Sequence, residues 1–243
     1  MSRFYVPEEA VKGDQISISG KEAHHILDVM RLNVSDEVVV FDGKGKEYVG
    51  KVMEIGRKSL TLKIVEYRNV SQEKKYSITL IQAITKKNKM DYIVEKATEL
   101  GVDTIMPVIT ARTIPDWDEA KRADVVLRWQ KIAKEASKQC GRITLPQIKP
   151  LSGLGEAVKN SNVYGTKLMA ALAGEPIKLK DALKDCPEGR IAIAIGPEGD
   201  FTTEEIGIAA KFGFKTVDLG PRVLKTDTAA LAVLAIVDYE CRR

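Results

Sequence analysis

The sequence is poor in the residues that metal centres, disulfide frameworks and membrane anchors require. It has two histidines, adjacent at His24 and His25, and three scattered cysteines, so neither a metalloenzyme nor a disulfide framework is indicated. No apolar run approaches the roughly 20 residues of a membrane-spanning helix, and the start of the chain lacks the apolar core of a signal peptide. These absences predict a soluble cytoplasmic protein that has no metal and no membrane partner.

The chain does have an ordinary globular composition. Of its 243 residues, 44% are hydrophobic and 30% are charged, which excludes disordered and low-complexity classes and allows a substantial core. The net charge of +4, from 38 basic and 34 acidic side chains, permits an anionic partner without requiring one.

The first 72 residues are rich in short runs with strand-like patterns. These runs are 37–41, 48–55 and 60–65. Asp42-Gly43 is a hairpin signal between the first two runs, and Ser19 with Glu22 predicts a capping box at the start of a short helix. Short strands closed by turns predict a small β-barrel domain over 1–72, and the polar stretch 69–75 is the predicted linker.

Residues 73–243 alternate strand-like and helix-like segments, which predicts an α/β domain with a parallel sheet. The predicted strands are 77–84, 104–109, 168–172, 191–195 and 216–219, and the longer helices follow Lys89 and cover about 121–140 and 226–240. The run Ile191–Ile195 is apolar throughout, as expected of a strand whose two faces are both covered.

Three glycine-bearing loops follow predicted strands of this domain. They are Leu172–Pro176, Gly196–Phe201 and Gly220–Thr228. In open α/β sheets, ligands bind beyond the carboxyl ends of the strands, where glycine lets a ligand approach the backbone. Together the loops predict one backbone-lined pocket, although each loop taken alone is more simply a turn before a helix. The glycine fingerprints of dinucleotide and triphosphate sites are absent.

The last predicted helix, about 226–240, is apolar on all sides. Such a helix has to be buried all round, yet chain termini usually lie at the surface. We expect the helix to be threaded into its own domain and covered by a second copy of the chain, which predicts a homodimer.

Several motifs stand in the order in which one enzyme family carries them. They are Lys89–Val102, Ala111-Arg112, Glu135–Arg142, Gly196–Gly199 and Leu219–Ala229, with weaker likeness at Arg3-Phe4, His24-His25 and Val29–Leu32. Through them nearly the whole chain resembles the RsmE family of 16S ribosomal RNA uridine-N3 methyltransferases, which belongs to the SPOUT superfamily. It departs from the family pattern at Asp200, where a second glycine is usual, and at Lys225 and Asp227, where arginine and glutamate are usual.

The resemblance implies a PUA-like β-barrel followed by a methyltransferase domain whose C-terminal chain forms a trefoil knot. It implies that the three loops bind S-adenosyl-L-methionine through backbone groups and aliphatic side chains. The implied cofactor-binding residues are Leu172, Gly174, Gly196, Pro197, Gly199, Leu219, Gly220, Val223, Leu224 and Thr226. The implied substrate is a uridine of 16S rRNA in the small ribosomal subunit.

Methylation of uridine N3 needs no metal and no protein nucleophile, because the sulfonium already activates the methyl group. The protein has to align donor and acceptor and assist loss of the N3 proton, as negative charge spreads onto the flanking carbonyl oxygens. The candidate catalytic residues are Arg112, Arg142, Arg222 and Glu198. The alternatives are a solvated Arg112, an Arg142 that caps its helix, and a Glu198 with a structural or electrostatic role instead of that of a base.

The distribution of charge favours residues 73–243 as the region that contacts RNA. Residues 1–72 hold eleven basic and eleven acidic side chains, which does not predict a purely electrostatic RNA clamp, whereas 86–89 and 112–142 are more basic. The candidate RNA-binding residues are Arg3, His25, Arg31, Lys86, Lys87, Lys89 and Gln139. For Gln139, the alternative is a solvated helix face.

Two other functions stay open from the sequence. A non-catalytic RNA-binding or ribosome-assembly protein of the same fold would not bind S-adenosylmethionine. A ribose 2′-O-methyltransferase of the same superfamily would place the methyl group on the sugar. A nucleotide-dependent oxidoreductase is disfavoured by the missing glycine fingerprint.

Overall fold

The computed structural model describes residues 3–69, 75–86, 89–113, 117–184 and 189–242. The chain divides into two compact units. The first is Met1–Glu73 with Ser137–Leu145, and the second is Lys74–Ala136 with Pro146–Arg243. Most of the predicted linker, 70–74, lies outside the described residues.

The segment Ser137–Leu145 groups with the first unit, which the predicted division at residue 72 does not include. The Leu145 amide donates to the Gly43 carbonyl at 2.9 Å, and Lys138 Nζ lies 3.1 Å from both carboxylate oxygens of Glu22. These contacts join residues about a hundred positions apart, so no local sequence pattern reveals them.

The first unit is built on a six-stranded sheet with the order β1-β4-β5-β6-β3-β2. Its strands are β1 (Arg3–Tyr5), β2 (Val11–Lys12), β3 (Gln15–Ser19), β4 (Glu37–Phe41), β5 (Lys46–Ile55) and β6 (Ser59–Asn69). Strand β1 runs parallel to β4, and the other pairs are antiparallel. The predicted hairpin between β4 and β5 is confirmed. Asp42 Oδ1 closes its turn by accepting from the amides of Lys44 at 2.7 Å and Lys46 at 3.0 Å.

A short helix, α1 (Gly20–His24), follows β3 and continues as a π-helix over His25–Val29. The predicted capping box at its start is wrong. Ser19 is the N-cap residue, but its side chain makes no capping hydrogen bond. The physical reason is that the Glu22 carboxylate turns to Lys138 instead of to the Ser19 backbone.

The second unit contains one sheet whose strand pairs are all parallel, which confirms the predicted sheet type. Its strands are β7 (Tyr76–Ala83), β8 (Thr104–Ile109), β9 (Gln147–Ile148), β10 (Ser152–Gly153), β11 (Thr166–Ala170), β12 (Ile177–Lys178), β13 (Gly189–Ile195) and β14 (Lys215–Asp218). Its helices are α2 (Lys89–Glu99), α3 (Glu119–Cys140, grouped with the first unit from Ser137), α4 (Leu154–Lys159), α5 (Leu179–Ala182), α6 (Thr203–Lys211) and α7 (Thr226–Cys241). The strand order is β10-β8-β7-β13-β11-β14-β12, with β9 also paired to β8.

Strand β13 shows why both faces of this sheet are covered. Ile191, Ile193 and Ile195 point to a core shared with α2, α3 and α7, while Ala192 and Ala194 point to a second core shared with α4 and α6. The unbroken apolar run thus serves two layers of helices, as the sequence predicts.

Helix α7 is only partly buried by its own chain. Ala230, Val233, Leu234 and Val237 are fully buried, on a helix that packs against α2. On other sides of the helix, the side chains of Ile236 and Tyr239 are 41% and 74% exposed. The single chain therefore buries one side of this helix, and cover of the exposed side by a second copy stays a prediction.

The structure also bears on membrane insertion, metal binding and the state of the cysteines. Across the described residues, no helix combines the length and apolar character needed to cross a membrane. Within the same residues, no group of three or more His, Cys, Asp or Glu side chains could hold a metal ion. Cys140 is a free thiol.

Candidate active site

The three predicted loops follow three strands that are neighbours in the sheet. Strands β13, β11 and β14 stand side by side, and their carboxyl ends meet at one edge because all are parallel. A cavity of about 270 Å³ opens there, near the lower end of the size range of ligand pockets. It is lined by residues 170–172, 195–198, 200, 217–220, 222–226 and 229.

Most of the predicted cofactor-binding residues line this cavity. They are Leu172, Gly196, Pro197, Leu219, Gly220, Val223, Leu224 and Thr226. Gly174 and Gly199 are not among the lining residues. Gly174 has a φ of +94° and lies beside Thr216, and Gly199 lies beneath the side chain of Arg112, where a Cβ would be 3.2 Å from Arg112 Cδ. Both glycines lie in the predicted loops without lining the cavity.

A buried glutamine that sequence reasoning missed supports the cavity from below. Thr226 is 5% exposed, and its Oγ1 donates to the Gly196 carbonyl at 2.6 Å. Gln82 on β7 is fully buried, and its Nε2 donates to Thr226 Oγ1 at 3.2 Å. The start of α7 is thus fixed to the loop after β13. The only local signal is a polar residue in the otherwise apolar end of a predicted strand.

Three charged side chains, Lys89, Glu198 and Asp227, lie close together near the start of α7. Lys89 Nζ lies 3.3 Å from Glu198 Oε1 and 3.5 Å from Asp227 Oδ1. The Lys86 amide donates to the same Glu198 oxygen at 3.2 Å. The other carboxylate oxygen, Oε2, makes no hydrogen bond or ion pair within the described part of the chain. Lys89, a predicted RNA-binding residue, therefore already faces two carboxylates, while Glu198 keeps one oxygen available.

The three candidate arginines have different surroundings. Arg222 is an exposed residue that lines the cavity and makes no hydrogen bond or ion pair with the described residues. Arg112 is exposed, and its Nη1 donates to the Gly199 carbonyl at 2.5 Å, which holds it against the loop after β13. Arg142 groups with the first unit, where its Nε donates to Thr144 Oγ1 at 3.1 Å.

The end of α3 favours the capping alternative for Arg142. Gly141 has a φ of +79°, and the Arg142 amide donates to the Ser137 carbonyl at 3.0 Å. A glycine of positive φ followed by this hydrogen bond is a common C-terminal cap. The capping group is the Arg142 backbone amide, and the guanidinium contacts Thr144.

Two of the predicted RNA-binding residues of the first unit take part in internal contacts. Arg3 Nη2 lies 3.1 Å from the buried carboxylate of Glu47, and its Nη1 donates to the Gly141 carbonyl. The His25 ring packs edge-on against Phe4, with 5.4 Å between the ring centroids. These contacts give both residues a structural role in the first unit.

The other predicted RNA-binding residues are exposed where the structure describes them. Arg31, which has a φ of +56°, and Gln139 are exposed in the first unit. Lys86 is exposed in the second unit, and Lys87 lies outside the described residues.

Comparison with known families places both parts of the chain. Residues 71–238 match a model described as an RNA methyltransferase domain, and residues 18–65 match one described as an RNA methyltransferase PUA domain. These matches confirm the predicted PUA-like domain and the methyltransferase domain that follows it. The trefoil knot and the division at residue 72 stay predictions.

Curated relatives extend over almost the whole chain. Ribosomal RNA small subunit methyltransferase E of Aquifex aeolicus is 31% identical over 242 residues, which cover 98% of this chain and 99% of that protein. The protein of the same name from Bacillus subtilis is 27% identical over 248 residues, which cover 99% and 97%.

Solved structures give the same result. The crystal structure of ribosomal RNA small subunit methyltransferase E from Neisseria gonorrhoeae, bound to S-adenosyl methionine, has a TM-score of 0.87 and 35% identity over 97% of this chain and 96% of that one. A methyltransferase from Legionella pneumophila, in complex with the bound cofactor SAM, has a TM-score of 0.86 and 32% identity over 98% and 96%. By its methyltransferase and PUA domains and by these relatives over nearly its full length, the chain belongs to the ribosomal RNA small subunit methyltransferase E family.

Proposed function

We propose that this chain transfers a methyl group from S-adenosylmethionine to N3 of a uridine in 16S rRNA of the small ribosomal subunit. The observation that carries the proposal is the cavity at the carboxyl ends of β11, β13 and β14. Its position is the one at which open parallel sheets bind ligands, and its lining includes most of the residues that the family resemblance implies.

The residues around the cavity fit the chemistry of this cofactor. Leu172 and Val223 line it with side chains that are 67% and 76% exposed, so the cavity presents apolar surface that a ligand can cover. Gly220 has a φ of +117° and brings bare backbone to the wall. Asp218 adds a carboxylate that suits a cationic ligand. S-adenosylmethionine would fit this lining with its adenosine on the aliphatic groups and its cationic sulfonium near the Asp218 carboxylate.

The bound cofactor supplies a methyl group already activated by a sulfonium, so the protein has to orient the uridine and stabilise the charge that develops as N3 loses its proton. Arg222 is the group best placed for that stabilisation, because it faces the cavity and is unpaired within the described residues. Arg112 contributes by holding the loop that carries Glu198.

Glu198 has two candidate roles, a positioning group and a general base, and its contacts bear on both. Its Oε1 links Lys86 and Lys89, which supports a positioning role between the β7–α2 loop and the loop after β13. Its Oε2 keeps the capacity to accept the N3 proton. A Glu198→Gln variant separates the two. Loss of a base lowers kcat by roughly 10²–10⁴ and changes the pH–rate profile, whereas loss of positioning raises the KM for the cofactor and leaves the profile unchanged.

We further propose that the functional unit is a cytoplasmic homodimer acting on the small ribosomal subunit. The exposed Ile236 and Tyr239 on α7 support a second copy that covers this helix. The exposed Arg31, Lys86 and Gln139 support contacts with RNA, whose phosphates would make binding depend on salt. Residues 1–72 carry equal numbers of basic and acidic side chains, so RNA binding by this region has to depend on shape and base contacts as well.

Mass spectrometry of nucleosides from small-subunit RNA tests the reaction. A strain that lacks the protein loses 3-methyluridine, a wild-type copy restores it, and an Arg222→Ala copy restores it only in part. Unchanged 3-methyluridine in the deletion strain, or loss of a ribose-methylated nucleoside instead, would overturn the proposal. Titration calorimetry with S-adenosylmethionine checks the cofactor independently of RNA.

A further inference from the structure

Asp200 stands at a backbone position that few residues tolerate. Its φ is +61°, in the left-handed region where glycine is the usual residue and aspartate one of the better-tolerated alternatives. The family pattern has glycine here, in agreement with this φ. A side chain in this chain therefore needs compensating contacts, and the structure provides two.

Both carboxylate oxygens of Asp200 accept hydrogen bonds from backbone amides. Oδ1 accepts from the next residue, Phe201, at 2.8 Å, and Oδ2 accepts from Leu172 at 2.9 Å. Leu172 belongs to the loop after β11, whereas Asp200 belongs to the loop after β13. One side chain thus joins two walls of the same cavity, which both residues line.

The loop that carries Asp200 is anchored on both sides. The Asp200 amide donates to the Pro197 carbonyl at 3.0 Å, which closes a turn. Phe201, directly after it, is 2% exposed in the core of the second unit, and Thr202 begins α6 with a complete capping box. The Asp200 carboxylate is therefore a fixed point, and Leu172 is the element that it holds.

We propose that Asp200 is a positioning residue that clasps the loop after β11 to the loop after β13 and so sets the affinity for S-adenosylmethionine. The inference rests on the proposed function of the cavity and adds a determinant that the glycine of the family pattern cannot supply. Hydrogen bonds from amides to a carboxylate are stronger than neutral ones. They hold Leu172 in place before the ligand arrives, which lowers the ordering cost of binding.

The experiment compares wild-type protein with Asp200→Gly and Asp200→Asn. Glycine relieves the positive φ but removes both acceptors, and asparagine keeps the shape but leaves one oxygen for two donors. Asp200→Gly weakens the calorimetric Kd for S-adenosylmethionine about tenfold and raises the cofactor KM similarly, with kcat nearly unchanged. Asp200→Asn lies between the two. Glu204→Gln, an exposed carboxylate on the first turn of α6, is the matched control and leaves the Kd unchanged.

Two further readouts separate a clasp from a merely structural residue or a simple charge. Amide hydrogen exchange at Leu172 becomes faster in Asp200→Gly, while Tm stays near wild type. The affinity for S-adenosylhomocysteine, which lacks the sulfonium charge, falls by the same factor as that for S-adenosylmethionine. Weakening limited to the charged cofactor, a lower Tm with an unchanged Kd, or unchanged exchange at Leu172 would each overturn the clasp. Wild-type protein that fails to bind either ligand would instead overturn the proposed function.

Discussion

At the scale of single residues, the cavity is surrounded by side chains that differ in how much of their bonding capacity remains for a substrate. Thr226 is occupied by Gln82 and by the Gly196 carbonyl, whereas Arg222 has no contact of this kind within the described residues. A residue whose polar groups are already satisfied holds the site in shape. A residue whose groups are free is the better candidate for chemistry.

Arg222→Ala should lower kcat by about 10²–10³, the usual cost of removing one donor that stabilises transition-state charge. The Kd for S-adenosylmethionine and Tm should stay close to wild type, because the side chain supports no other described residue. Steady-state kinetics on small subunits, calorimetry and thermal unfolding check this. Lys211→Ala, an exposed cation at the end of α6, is the control. A fall in kcat no larger than that of the control would contradict the assignment.

Lys89→Ala should weaken cofactor binding and leave the salt dependence of RNA binding unchanged, because Lys89 already pairs with Glu198 and Asp227. Lys86→Ala, which removes an exposed cation, should reduce the slope of log K against log salt by about 0.7–0.9. Lys89→Arg keeps the charge and should recover most of the cofactor affinity. If Lys89→Ala changes the salt slope as Lys86→Ala does, Lys89 contacts RNA.

At the scale of single elements, two similar sequence signals had different outcomes. Ser19 with Glu22 and Thr202 with Glu205 both match a capping box. Only the second forms one, with the Glu205 amide donating to Thr202 Oγ1 at 3.2 Å and the Thr202 amide donating to Glu205 Oε2 at 2.9 Å. A distant cation that attracts the glutamate decides the difference.

Thr202→Ala should therefore destabilise the protein by about 1 kcal/mol, the usual cost of losing a side-chain N-cap. Ser19→Ala should cost less than about 0.5 kcal/mol, as surface substitutions usually do, because Ser19 makes no capping bond. Urea unfolding followed by circular dichroism measures both. Equal losses from the two variants would show that the local pattern, and not the observed hydrogen bond, determines the stability.

The far end of α7 is tied to β7 by a buried tyrosine. Tyr76 Oη donates to Asp238 Oδ1 at 2.7 Å, and burial, followed by this hydrogen bond and the negative charge of Asp238, raises the pKa of Tyr76 from its usual 10 to about 12. The unfolded chain releases this proton near pH 10, but the folded chain keeps it. The resulting stabilisation is complete below pH 10 and is lost as the pH rises to about 12.

The unfolding free energy of the wild type should thus fall more steeply than that of Tyr76→Phe between pH 10 and 12, with a difference of about 2–3 kcal/mol over the interval. Below pH 9, Tyr76→Phe should be less stable by about 1–2 kcal/mol, because Asp238 loses a donor. Denaturation at a series of pH values checks both expectations. Parallel curves for the two proteins would contradict them.

At the scale of the whole molecule, the proposed dimer places α7 between two chains. Ile236→Asp, on the exposed side of that helix, should convert a species of twice 26.8 kDa into one of 26.8 kDa. Val163→Asp puts the same charge on another exposed apolar residue of the same unit and should leave the mass unchanged. Light scattering after size exclusion at micromolar concentration measures both. A wild-type monomer, or dissociation by both variants, would contradict the proposed interface.

Patterns that are local in sequence predicted much of the architecture. The alternation of strands and helices predicted the parallel sheet, and the apolar run 191–195 predicted a strand covered on both faces. The loops after β11, β13 and β14 predicted the cavity, because the carboxyl ends of parallel strands lie at one edge. Each of these inferences depends on periodicity or on residues a few positions apart.

Short-range patterns thus predicted the type of each long element, the edge of the sheet where the cavity opens, and the family to which the chain belongs. The contacts of individual side chains follow instead from the three-dimensional fold: Gln82 supports Thr226, Lys89 faces two carboxylates, and Asp200 joins two loops. Each of those contacts links residues brought together by the order of strands in the sheet, from positions 28 to 144 apart. A side chain's partner depends on which strands become neighbours, and no short-range pattern encodes that choice.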